Sequence, residues 1–151
     1  MVKEAQWGFA SSPVIHDGKL IVQCDVQNDP FLAAFDVKDG TEIWRTPRKD
    51  YPTWSTPTVA AAGGTTQVLC NGFNEMAGYD LADGKRLWRL RGGGDIPVPT
   101  PVVADGIAYF TSAHGLNWPV FAVKLSARGG VTNLRTGEPA IPRIPGERNL
   151  A

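Results

Sequence analysis

Few residues in this chain combine the types and spacing that chemistry needs. Its two imidazoles, His16 and His114, lie far apart, and neither has a partner at metal-ligand spacing, so surface or loop positions are expected for both. Cys24 and Cys70 are not adjacent and read as buried, unpaired thiols rather than a disulfide. Asp25, Asn28 and Asp29 place oxygen donors in one short stretch. Pro30, however, stands where a calcium loop needs glycine, and no bidentate Glu follows. There is no Gly-x-Ser-x-Gly elbow, no phosphate-binding Gly-x-x-x-x-Gly-Lys and no dinucleotide fingerprint, and Gly92-Gly93-Gly94 reads as a flexible turn. No catalytic residue and no metal ligand is therefore assigned.

Composition excludes further classes. With 151 residues, 42% hydrophobic, the chain can bury a real core. Its 15 basic and 15 acidic residues cancel without a Lys/Arg cluster, which argues against nucleic acid and anionic membrane surfaces as partners. No apolar run approaches the roughly 20 residues of a bilayer span. The first ten residues lack the apolar centre of a secretory signal, so as written the chain reads as unexported.

The elements that must position any site come from a repeat of 44 residues. Ser12-Pro13, Thr56-Pro57 and Thr100-Pro101 share one phase, each followed by a short apolar run. Ala34, Gly78 and Ala122 are equivalent, as are Phe35, Tyr79 and Val123, then Asp36, Asp80 and Lys124. Gly40 matches Gly84 and Trp44 matches Trp88, but Arg128 and Thr132 break the glycine and tryptophan positions of the third unit. Within the first unit, β-type runs at about 12–15, 20–24, 32–37 and 42–46 are separated by turn residues, including Asp17-Gly18 and Asp39-Gly40. No stretch holds a 3.6-residue apolar period for three turns, so almost no helix is expected. Four strands per unit at this period predict an all-β partial propeller of three four-stranded antiparallel blades, the third incomplete. A flat sandwich is the competing architecture, but it does not require strict phase. The units run 12–55, 56–99 and 100–132, after a lead-in at 1–11 and before a Pro/Gly/Arg-rich tail at 133–151 that reads as irregular.

The segments Ala34-Phe35-Asp36-Val37-Lys38-Asp39-Gly40-Thr41-Glu42-Ile43-Trp44 and Gly78-Tyr79-Asp80-Leu81-Ala82-Asp83-Gly84-Lys85-Arg86-Leu87-Trp88 resemble the tryptophan-docking motif of pyrroloquinoline-quinone (PQQ)-type propellers. The resemblance implies that Ala34 and Gly78 leave room for a large neighbour, and that Trp44 and Trp88 lie across blade junctions as structural residues. Asp36 and Asp80 are expected to hold backbone amides at the following turn rather than to catalyse. That family of bacterial proteins includes quinoprotein alcohol dehydrogenases and an outer-membrane assembly lipoprotein, and suggests an extracytoplasmic location. Its rings usually have seven or eight blades, and eight would need about 350 residues, so the chain reads as a fragment of such a ring. Quinone is implied by resemblance alone. A quinone-dependent enzyme is expected to carry adjacent cysteines and a Glu/Asn/Asp calcium set, and neither can be assigned here.

Because meander strands alternate in direction, the loops between second and third strands emerge beside the links between blades. That rim gathers Asn28, Trp54, Asn74, His114, Asn117 and Trp118 as candidate binding residues for a protein or a small ligand. A second reading has Trp54 and Trp118 simply packing between blades. Three functions compete: a non-catalytic binding scaffold, which is favoured; part of a quinoprotein oxidoreductase whose active site lies outside this chain; and a remnant without independent function. Uncovered blade faces also predict self-association.

Overall fold

A computed structural model describes residues 8–92, 96–112 and 120–130. The lead-in before Gly8, Gly93, Gly94, the candidates His114, Asn117 and Trp118, and the 133–151 tail lie outside the described residues. Among those described there is no helix, and twelve strands form three sheets.

The first sheet is a meander of β1 (Val14–His16), β2 (Lys19–Cys24), β3 (Phe31–Asp36) and β4 (Glu42–Pro47). The second repeats it with β5 (Thr58–Ala62), β6 (Thr65–Cys70), β7 (Glu75–Asp80) and β8 (Arg86–Arg91). The third has β9 (Val102–Ala104), β10 (Ile107–Thr111) and β11 (Val120–Lys124). Asp17-Gly18, Gly63-Gly64 and Asp105-Gly106 close the first hairpin of each sheet with positive φ at both turn residues, the twist that matches paired strands.

Two clusters of buried side chains lie between successive sheets. Ile21, Leu32, Ala34 and Trp44 meet Val68, Cys70, Ala77, Tyr79 and Leu81, while Leu69, Met76, Trp88 and Leu90 meet Ala108, Phe110, Val123 and Leu125. The sheets therefore stack face to face, as blades do. Burial follows from this arrangement. The inner strands of the middle sheet, β6 and β7, are covered on both faces, so four consecutive residues of each are buried without alternation. In β10, covered on one face, Ala108 and Phe110 are buried while Tyr109 between them faces out.

The third sheet is incomplete, as its broken repeat predicts. After β11 the chain places β12 (Gly129–Gly130) parallel to β8, opposite Trp88 and Arg89, so the second sheet has five strands and the third has three among the described residues. The cause is local. Asp36 Oδ1 accepts the Lys38 N–H and Asp80 Oδ1 accepts that of Ala82, and each turn is completed by a glycine of positive φ, Gly40 or Gly84. The third unit has Lys124 and Arg128 at these two positions, so it lacks both the carboxylate acceptor and the glycine that reverse the chain.

Candidate functional site

The two motif tryptophans bridge the sheets differently. Trp44 is 8% exposed and donates its indole N–H to the Leu81 carbonyl of the next sheet at 3.0 Å. Its ring covers Gly84, where a Cβ would overlap the indole. Trp88 is 1% exposed and donates to Gln67 Oε1 at 2.8 Å, and Gln67 Nε2 in turn donates to the Leu125 carbonyl at 2.5 Å. Leu81 and Leu125 are repeat equivalents, so one junction is spanned directly and the other through an interposed amide. Gly78 makes room for the Trp88 indole, and Phe110 meets Trp88 edge-on at 5.9 Å.

Gln67 owes its position to a shift in the second unit. Val14 pairs with Ile21, but Thr58 pairs with Leu69, four residues beyond the position that the 44-residue phase predicts. The offset is taken up before β7, where Leu69 pairs with Gly78 as Ile21 pairs with Ala34, and phase is restored. The shift makes Gln23 equivalent to Asn71. Gln23 Nε2 donates to the Asn71 carbonyl, and Asn71 Nδ2 donates to the Thr111 carbonyl, both at 2.8 Å, so this amide position links each sheet to the next.

Around Gln23 lies a buried charged network. Arg48 donates through Nε to Asp25 Oδ1 at 2.6 Å, through Nη2 to Asp25 Oδ2 at 3.1 Å and to Asp50 Oδ2 at 3.2 Å, and through Nη1 to the Tyr79 hydroxyl at 2.9 Å. Gln23 Nε2 and the Thr53 hydroxyl both donate to Asp25 Oδ2 at 2.7 Å. Asp50 Oδ1 accepts backbone N–H bonds from Tyr51, Phe73 and Asn74. Burial alone would lower the Arg48 pKa, but the adjoining Asp25 carboxylate overcomes it and pushes the group well up. Burial pushes Asp50 up to about 6 despite the Asn74 N–H and Arg48, with the Asp25 charge adding to the rise. Burial likewise raises the Tyr79 hydroxyl, and pushes Cys70 up to about 12, so that thiol stays protonated. Cys24 is raised too, chiefly by burial; both cysteines are free.

This network bears on the sequence readings. Asp25 is turned inward to Arg48 and away from the exposed Asn28 and Asp29. Among the described residues no three His, Cys, Asp or Glu groups converge as metal ligands, and Cys24 and Cys70 sit in different sheets. Trp54 is half-buried, its indole N–H bonded to the Gly8 carbonyl at 3.0 Å and its backbone N–H to the Pro97 carbonyl at 3.2 Å, so it stitches neighbouring segments together. Asn74 is exposed and donates to the Lys49 carbonyl at 3.1 Å. His16 ends β1, exposed.

The rim also holds two aromatics that the sequence reading did not select. Tyr51, 59% exposed, meets Phe73 edge-on at 5.2 Å, and both backbone N–H groups are fixed by the buried Asp50. The available sequence signal was that each aromatic lies in a loop facing the other across the rim, but neither recurs in phase.

Comparison with known proteins fits this architecture. No curated protein matches the chain. A crystal structure of BamB from Moraxella catarrhalis resembles it with a TM-score of 0.53 at 22% identity, over 82% of this chain and 42% of that one, a likeness of fold. The chain thus spans less than half the length of that relative. The family model described as outer membrane protein assembly factor BamB matches residues 3–148, nearly the whole sequence, and the chain belongs to this family of PQQ-like β-propeller repeat proteins.

Proposed function

We propose that the chain is a non-catalytic propeller module that presents the rim of its first two blades to a protein partner. The observation that carries this reading is how the rim divides its groups. The side chains able to do acid–base chemistry, Asp25, Arg48 and Asp50, are buried and bonded to one another or to fixed donors. Tyr51 and Asn74 are exposed and Phe73 is half-buried, and Asp50 accepts the backbone N–H of all three. An ordered aromatic pair beside an amide loses little conformational entropy on binding and suits protein contact. The family description, an assembly factor for outer membrane proteins, supports a protein partner and an extracytoplasmic location.

A photo-crosslinking amino acid at Tyr51 is expected to trap a discrete protein in cells, whereas the same probe at Ile43, exposed on β4 of the first sheet, is not. The Phe73→Ala exchange should reduce the Tyr51 adduct severalfold while leaving the melting temperature within a few degrees. Equal labelling from both probe positions, or dye reduction by the purified chain on adding quinone and calcium, would overturn the proposal.

A further inference from the structure

A cleft of about 440 Å³ lies between the end of β4 and the β7–β8 face of the second sheet, within the size range of small-ligand sites. Its walls include Pro47 and the ring of Tyr79, and its charged groups are Lys49, Glu75, Arg86 and Arg89. Three cations face one carboxylate, leaving a formal excess of two positive charges. Glu75 is largely buried and engages both guanidiniums only in part: Arg86 Nη1 lies 2.9 Å from Oε1, but Arg89 Nη1 is 3.8 Å from Oε2, beyond hydrogen-bonding distance. Lys49 has its carbonyl fixed by Asn74, and among the described residues its ammonium is in no ion pair. A guanidinium offers five N–H donors, so most of the donors on Arg86 and Arg89 remain available.

We propose that this cleft is a carboxylate-binding site that takes a pair of neighbouring acidic groups, carried on an acidic peptide segment or a free dicarboxylic acid. The excess charge matches two carboxylates. Planar guanidinium forks bind carboxylates side-on, and Arg86 already holds the Glu75 carboxylate through one Nη1–Oε1 hydrogen bond. The Tyr79 ring screens the cleft from the buried network, since its hydroxyl turns inward to Arg48. The carboxylate oxygens behind it are bonded to Arg48, Gln23, Thr53 and backbone N–H groups, so that network does not compete for the cleft's cations.

Calorimetric titration of the whole chain with an acetylated tetraglutamate peptide and with succinate tests it, using a tetraglutamine peptide and inorganic phosphate as comparisons. Saturable binding of at least one carboxylate probe is expected, and the tighter of the two identifies the source. The double variant Lys49→Gln/Arg89→Gln should weaken that binding at least about tenfold without shifting the melting temperature, because neither side chain makes a hydrogen bond among the described residues. No saturable binding by either carboxylate, tetraglutamine binding as tightly, phosphate binding more tightly than both, or an unchanged affinity in the double variant would overturn the assignment.

Discussion

Asp50 shows how one buried carboxyl can set the pH behaviour of the protein. The native fold keeps its proton up to about pH 6, whereas an exposed carboxyl releases it near 3.8. Between these values the unfolded chain has lost the proton that the folded chain retains, so the Asp50 contribution to stability falls as pH rises through that window. The loss is expected to be on the order of 3 kcal/mol, and Asp50→Asn should flatten this component in denaturant titrations run from about pH 4 to pH 7. Sequence gave no warning of the network, because Asp25, Arg48 and Asp50 come from a loop and a link that do not recur in phase, and only folding brings them together. Asp36 and Asp80 are the opposite case: each sits two residues before the amide it accepts, so the spacing itself carries the information. Gln67 was hidden for another reason, a four-residue register shift that no propensity marks.

At the scale of elements, the repeat supplies its own control. Gly40 and Gly84 occupy the same turn with φ of 76° and 72°, so alanine at either position costs about 1 kcal/mol in backbone strain. Only at Gly84 does a Cβ also run into the Trp44 ring, while the space around Gly40 is open. Gly84→Ala should therefore destabilise the protein by about 1–3 kcal/mol more than Gly40→Ala, measured by urea unfolding of the two variants. Equal losses would mean that the indole yields freely and does not fix the angle between the first two sheets. Strands, turns and the third unit's defect could be read from alternation, Asp-Gly pairs and the replacements at Lys124 and Arg128. That β12 would join the neighbouring sheet could not, since Gly129-Gly130 has no side chain to indicate a partner.

At the scale of the molecule, stacking of the described sheets leaves two end faces with no described blade against them. On the third sheet Val102, Tyr109 and Val120 are 63%, 37% and 73% exposed, and Ile15 of the first sheet is 68% exposed. Apolar surface of this kind favours association, so light scattering should show species larger than a monomer at high concentration. Val102→Lys with Val120→Lys should shift the distribution toward monomer. The composition alone could not reveal these faces, because apolar content says how much is available to bury and not which side lacks a cover. The pairing of Gly129–Gly130 with β8 bears on how the third sheet is attached. The chain departs from β8 at Arg91 and comes back alongside the same strand, so residues 92–128 make a closed excursion anchored at both feet. A terminal unit held by one covalent tether can swing away like a door; one held at two points on a single strand must first peel off its return foot before it can leave.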